Sequence, residues 1–110
     1  MSNRVSAPPV YMRPSETLGF KVDFTLYGIS VDAAETITGT PTVTVSGGTA
    51  GTASANAAAF ENAKAGTCEI GHGVTFDYTA SSTVGDYTVD VSAVTTLGQT
   101  LKGRIPVYVR

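Results

Sequence analysis

At 110 residues the chain has the usual size of one domain, and its 15% of charged residues lies well below the roughly 25% of an ordinary soluble domain. The net charge of −2 and the scattered basic residues argue against nucleic-acid binding. The single cysteine excludes an internal disulfide, and no apolar run approaches the roughly 20 residues of a membrane span, so we expect no membrane partner.

Residues 1–14 are predicted to form an extended arm. Three prolines disfavour a helix in this segment: Pro8, Pro9 and Pro14. The segment is either a frayed terminus or short edge strand, or an arm that becomes ordered against a neighbouring subunit. The second interpretation makes four of its residues candidates for subunit contact: Val10, Tyr11, Met12 and Arg13. The segment lacks the continuous apolar region of a signal peptide, so none is expected.

The next two segments are predicted to be β-strands. Residues 17–26 alternate between apolar and polar side chains with period two, which is typical of a half-buried antiparallel strand. After a turn near residues 28–32, the stretch 35–48, rich in β-branched residues, predicts a second strand. We expect that strand to be irregular around Gly39 and Pro41, because glycine and proline interrupt strand pairing.

Residues 46–66 allow two predictions. A glycine- and serine-rich turn comes first. The alanine-rich stretch after it has residues typical of the two ends of a short helix, near 56–65. Asn56 is a candidate helix cap and Gly66 a candidate helix end. A helix this short would need Phe60 docked on the sheets for stability. The alternative is an irregular excursion of strand and loop.

The last third of the chain predicts four further strands. Residues 67–70 and 74–79 are two short pieces, residues 83–94 open on a turn and then alternate, and the last strand begins at Leu101. Pro106 has the parity opposite to the apolar residues, which predicts a free or irregular hydrogen-bonding side near the end of the last strand. About seven short strands in all predict an all-β fold, an Ig-like antiparallel β-sandwich over residues 15–110.

The stretch GDYTVDV supports this fold. Ig-like sandwiches place a tyrosine at the start of the penultimate strand, with its hydroxyl bonded back to the preceding corner. Tyr87 fits that position, and Val89 fits the position at which antibody domains have a cysteine. An aliphatic residue there agrees with the absence of a disulfide partner.

The sequence offers little for catalysis or metal binding. Cys68 and His72 are the only cysteine and histidine, and four residues along a strand span roughly 13 Å, too far for direct contact. Two ligands also fall short of a zinc set, and the carboxylates lack the density of a calcium loop. We therefore expect no metal, no cofactor and no enzymatic activity.

Two stretches carry a resemblance to a known group. They are RPSETLGFKVDFTLYG, residues 13–28, and GDYTVDVSAVTTLGQTLKGRIPVYVR, residues 85–110. Both resemble small Ig-like virion proteins of tailed bacteriophages, the fiber–tail adaptors and head decoration proteins. The alanine-rich segment 50–66 departs from the plain hairpin expected there.

The resemblance implies a non-enzymatic virion component that attaches to the capsid or to the neck and tail. Its partners would be other virion proteins, in several copies, and it would be localised in the virion after assembly in the host cytoplasm. Phe60, in the excursion 47–66, is a candidate for a second contact. The alternative is a carbohydrate- or protein-binding Ig-like module of a bacterial surface protein.

Overall fold

A computed structural model describes residues 4–6, 9–24, 35–62 and 66–110. Over these residues the chain forms β-strands and no helix. The strands are β1 (Arg4–Ser6), β2 (Val10–Met12), β3 (Thr17–Asp23), β4 (Ile37–Val45), β5 (Thr49–Ala50), β6 (Ser54–Ala55), β7 (Phe60–Asn62), β8 (Gly66–Cys68), β9 (Gly73–Thr79), β10 (Gly85–Thr95) and β11 (Thr100–Val109).

The first sheet is built around the two longest strands. β10 and β11 form an antiparallel hairpin, with Gly85 opposite Val109, and β4 pairs antiparallel with the other edge of β10. β1 and β2 both run parallel to β11, on its free side. The register between β4 and β10 shifts next to Gly39 and Pro41, which confirms the predicted irregularity as a β-bulge.

Pro106 explains why the N-terminal strands are short and separate. β1 pairs with residues 102–104 of β11, and β2 pairs with residues 107–109. Pro106 lies between these two registers and has no N–H to donate to a neighbouring strand. The predicted irregular side of the last strand is confirmed.

The second sheet is antiparallel and has β9 at its centre. β3 pairs with one edge of β9 over its whole length, from Thr17 opposite Thr79 to Asp23 opposite Gly73. The short strands β5 and β6 pair with the other edge. The predicted strand 17–26 is thus confirmed as far as Asp23, and its last two residues lie outside the described part of the chain.

A hydrophobic core lies between the two sheets. The alternating apolar residues of all four main strands are buried in one cluster: Phe20, Val22, Val74, Phe76, Tyr78, Val89, Val91, Ala93, Leu101, Ile105, Val107 and Val109. Gly103 shows how closely the sheets approach, because a Cβ built on it would lie 3.4 Å from Val22 Cγ1 and 3.5 Å from Phe24 Cζ. The protein is an all-β sandwich, as the alternation predicted.

The pairing follows the strand order of Ig-like domains. One sheet contains the third, sixth and seventh positions of that fold as β4–β10–β11, and the other contains the second, fifth and fourth as β3–β9–β5. β1 and β2 share the first position, on the edge of β11. The predicted boundary between an arm of residues 1–14 and a domain of residues 15–110 stays a prediction. Strands β1 and β2 are, however, hydrogen-bonded members of the first sheet.

The helix predicted near 56–65 is wrong for the described residues, 56–62. This part of the chain instead leads into β7, which pairs with β8 as a hairpin. Residues 63–65 lie outside the described part. The reason is packing and hydrogen bonding. A helix of about nine residues is marginal even when it is rich in alanine, whereas the observed conformation buries Asn56 and docks Phe60 on the second sheet. The irregular excursion is the alternative that the structure supports.

Candidate interaction surface

A tyrosine corner fixes the turn before β10. The Tyr87 hydroxyl donates a 2.7 Å hydrogen bond to the carbonyl oxygen of Thr83. Val89, two residues further on, is fully buried. The Tyr87 ring lies against Gly47, since a Cβ at residue 47 would come within 2.4 Å of Tyr87 Cδ1. The predicted role of Tyr87 is confirmed.

A second tyrosine holds the same glycine-rich turn from the core side. The Tyr78 hydroxyl donates a 2.6 Å hydrogen bond to the carbonyl oxygen of Gly47. Gly48 adopts a φ of +82°, and a Cβ there would lie 2.4 Å from the Thr79 carbonyl oxygen. Burial raises the pKa of the Tyr78 phenol above its usual value of 10.0, and the nearby Tyr87 phenol adds to the rise. The turn 46–48 is therefore packed between two tyrosines.

The four candidate residues of the arm lie together, at one end of the first sheet. Met12 is buried in the core with 3% of its surface exposed, and Val10 packs against the same core. Tyr11 points the other way and is 68% exposed. Arg13 is exposed at the start of the turn that follows β2. Alternation along β2 thus gives the arm one anchoring side and one outward side.

Tyr11 belongs to a larger surface group, which we call the tyrosine–arginine cluster: Tyr11, Asp86, Tyr108 and Arg110. The rings of Tyr11 and Tyr108 meet edge to face with their centroids 5.4 Å apart. The Arg110 guanidinium lies over the Tyr108 ring at 5.2 Å and forms a 2.9 Å ion pair with Asp86. Tyrosine and arginine are the residues enriched at the energetic centres of protein interfaces.

The tyrosine–arginine cluster continues into a hydroxyl-rich face on the outside of the first sheet. The outward side chains of β4 and β10 beside it are mostly threonine and serine: Thr42, Thr44, Thr88 and Ser92. One ion pair crosses the face, with Arg104 Nε 2.8 Å from Asp90 Oδ1. This bond raises the pKa of the Arg104 guanidinium further above its already high value. The face therefore presents little net charge.

The fifth candidate, Phe60, lies on the opposite side of the sandwich. Its ring is 5.3 Å from Lys21 Nζ of β3, and its Cε1 would lie 3.2 Å from a Cβ built on Gly73 of β9. Gly73 thus gives the β7–β8 hairpin room to cover the outer face of the second sheet. The structure does not bring Phe60 and the arm residues into one site.

Asn56 organises the base of the hairpin. It is 2% exposed, and both halves of its amide are used. Nδ2 donates to the carbonyl oxygens of Ala58 and Glu69 at 3.0 and 2.9 Å. Oδ1 accepts from the backbone N–H groups of Gly71 and Gly73 at 3.0 and 2.9 Å. The side chain predicted as a helix cap is instead a buried link between two loops.

The other buried polar groups of the described residues do not assemble into a metal site. Glu35, fully buried, accepts hydrogen bonds from Thr95 Oγ1 and from Gln99 Nε2. Cys68, in β8, is buried, and His72 Nδ1 is buried with no hydrogen-bond partner among the described residues. Across the described residues no three histidine, cysteine or carboxylate side chains are grouped as metal ligands would be. The same part of the chain contains no helix able to span a membrane.

Comparison of the chain with protein-family models, with curated proteins and with solved structures yields no match. Function is therefore inferred from the surface itself. Sequence reasoning missed Tyr108 and Arg110, although their parity in β11 is opposite to that of the buried valines and predicts exposure. It could not place them beside Tyr11, because that contact depends on parallel pairing between the two ends of the chain.

Proposed function

We propose that the protein is a non-enzymatic structural component of a tailed-bacteriophage virion, attached to the capsid or to the neck and tail as a decoration or adaptor subunit. The observation that carries the proposal is the tyrosine–arginine cluster. Tyr11 is 68% exposed and is backed by Tyr108 and Arg110. Two aromatic rings and a guanidinium on one patch are typical of a protein-binding hot spot.

The surroundings of the cluster support a packed assembly. Met12 anchors β2 in the core, so Tyr11 is presented from a fixed strand and loses little conformational freedom on binding. The neighbouring threonines and serines are short, and burying them immobilises fewer rotatable bonds than burying lysine or glutamate would. The resemblance of residues 13–28 and 85–110 to virion proteins supplies the class of partner.

The first test measures whether the chain belongs to a particle. Virions are purified on density gradients from a lysate of the source organism, and the chain is quantified by mass spectrometry against the major capsid protein. We expect a fixed copy number that corresponds to the symmetry of the capsid, neck or tail. Absence from the virions, or a ratio that varies between preparations, contradicts the proposal.

The second test addresses the cluster. Tyr11→Ala and Tyr108→Ala are expected to reduce incorporation into virions by at least about tenfold, the effect of losing a hot-spot side chain. Thr44→Ala, on the same outer face but away from the cluster, is the matched control. Deleting residues 1–14 is the poorer experiment, because it also removes Met12 from the core. Normal incorporation of both tyrosine variants would exclude the cluster as the contact.

One observation favours a second function, the binding of glycans by a bacterial surface module. The exposed ring of Tyr11 offers an apolar face on which a sugar can stack. A glycan array with the purified chain tests this function. Binding that is lost in Tyr11→Ala, together with absence from virions, would favour the glycan-binding module over the virion component.

A further inference from the structure

The turn between β2 and β3 contains a strained residue. Glu16 N donates to the Arg13 carbonyl oxygen at 3.2 Å, which closes a four-residue turn with Pro14 and Ser15 at its centre. Ser15 has a φ of +62° and is the only described residue other than glycine with a positive φ. The turn has the features of a type II β-turn, in which this position favours glycine. Serine is disfavoured there because its Cβ crowds the backbone.

This turn is the link between the N-terminal strands and the second sheet. β1 and β2 pair with β11, whereas β3 pairs with β9. A groove of about 360 Å³, lined by Val10, Leu18 and Phe20 among others, separates β2 from β3. Within the described residues, backbone pairing therefore holds the N-terminal strands to β11 and not to the strand that follows them in sequence.

A strand is nevertheless needed at the position of β2, because β2 completes the core and pairs with β11. Met12 is 3% exposed in the core, and its carbonyl oxygen accepts a 3.1 Å hydrogen bond from Arg110 N. Removal of β2 would leave a cavity and unpaired backbone groups along β11. A β2 strand from a second copy would restore the same contacts, because its sequence is the same.

We propose that two copies of this chain exchange the segment bearing β1 and β2, so that each segment pairs with β11 of the other copy. The exchange opens the turn 13–16, and Ser15 returns to a negative φ. Pro14 suits both forms, since its fixed φ fits the second position of the closed turn and an extended chain alike. The inference does not depend on the virion proposal.

The geometry of the turn also defines where the two copies meet. Four extended residues span about 13 Å, so the copies must approach through the end of the sandwich that bears the turn. Ser15 N donates to the Ser81 carbonyl oxygen at 3.2 Å at this end, a bond that opening breaks. The broken hydrogen bond and the entropy of association both oppose exchange, so the exchanged dimer becomes more abundant as protein concentration rises.

Disulfide trapping tests which copy supplies the strand. Tyr11 and Tyr108 are opposite each other on β2 and β11, and the general spacing of neighbouring strands, about 4.8 Å, falls within the Cα–Cα range of disulfides. A Tyr11→Cys chain and a Tyr108→Cys chain with a mass tag are refolded together and oxidised. We expect a covalent heterodimer well above the amount formed when Thr44→Cys replaces Tyr108→Cys. The wild-type chain controls for its own Cys68, which is buried.

The Tyr11→Cys/Tyr108→Cys double variant shows whether the disulfide forms within one chain or between two chains. A disulfide confined within one chain at every protein concentration, together with heterodimer no more abundant than in the Thr44→Cys control, would overturn the exchange.

Turn variants provide an independent measurement. Ser15→Gly removes the strain from the closed turn, so we expect the dissociation constant of the dimer to rise on the order of tenfold. Ser82→Gly is the matched control, because Ser82 lies at the same end of the molecule without a positive φ. Dimer is measured by analytical ultracentrifugation over a range of concentrations. A monomer throughout, or an unchanged dissociation constant in Ser15→Gly, would refute the inference.

Discussion

At the scale of single residues, a substitution of Tyr87 measures how much the corner before β10 contributes to stability. Tyr87→Phe removes the hydrogen bond to the Thr83 carbonyl oxygen and keeps the ring against Gly47. We expect the free energy of unfolding to fall by about 1 kcal/mol. Urea denaturation measures the change. Tyr108→Phe is the control, because the Tyr108 hydroxyl has no described hydrogen bond. Equal losses in the two variants would show that the corner bond contributes nothing specific.

The raised pKa of Tyr78 predicts that the protein loses stability in alkaline solution. Its folded-state pKa is raised by burial above the unfolded value of 10.0, so above about pH 10 the unfolded chain loses a proton that the folded chain keeps. The free energy of unfolding should therefore be insensitive to this group below pH 10 and fall as pH rises beyond it. Tyr78→Phe should lower stability at neutral pH and make the alkaline slope shallower. An unchanged slope would contradict the prediction.

Asn56 is the residue whose chemistry is least replaceable. In the native protein the carbonyl oxygens of Ala58 and Glu69 accept hydrogen bonds from Asn56 Nδ2. Asn56→Asp keeps the shape of the side chain but places a carboxylate oxygen against these two carbonyl oxygens. We expect a loss of about 2–3 kcal/mol at pH 7, the usual penalty for unpaired buried groups. The loss should shrink as the pH falls towards about 4, because the carbonyl oxygens and burial raise the folded-state pKa of the new carboxyl above the ordinary aspartate value that it has in the unfolded chain. A loss independent of pH would indicate a merely steric effect.

At the scale of elements, the β7–β8 hairpin depends on a glycine in the strand beneath it. A Cβ at residue 73 would lie 2.6 Å from the Val22 carbonyl oxygen and 2.9 Å from Cys68 Sγ. Gly73→Ala should displace the hairpin and expose Cys68, so that its labelling by a thiol reagent becomes at least about tenfold faster. Gly19→Ala is the matched control, because the nearest atom to its Cβ is Asp77 Oδ1 at 3.7 Å. Equal labelling rates would show that the hairpin does not protect Cys68.

The elements also show what the sequence could predict. β3, β10 and β11 each bury one face, so their alternation predicted both strand and core, and Tyr87 predicted the corner. Segment 46–66 was ambiguous because alanine favours a helix locally, whereas the observed hairpin is selected by the long-range hydrogen bonds of Asn56. The tyrosine–arginine cluster could not be predicted from the sequence, because it too depends on long-range contacts. It joins residue 11 to residue 108, and pairing between segments so far apart leaves no local pattern.

At the scale of the whole molecule, the arm should unfold together with the sandwich. Met12→Ala removes a buried side chain of the common core and is expected to lower the free energy of unfolding by about 2–5 kcal/mol. Tyr11→Ala, one position away but exposed, should change it by about 0.5 kcal/mol or less. Guanidinium denaturation followed by tyrosine fluorescence and by circular dichroism should give a single coincident transition. A small effect of Met12→Ala would instead favour an independent arm.

The parallel pairing of β1 and β2 with β11 has a mechanical consequence. Tension applied between residues 4 and 110 would pull these strands past one another along their length, because the two segments run in the same direction. The hydrogen bonds on this edge of β11 would then be loaded simultaneously, instead of opening one at a time as in an unzipping hairpin. The sandwich should consequently resist stretching through this edge more strongly than its equilibrium stability alone would suggest.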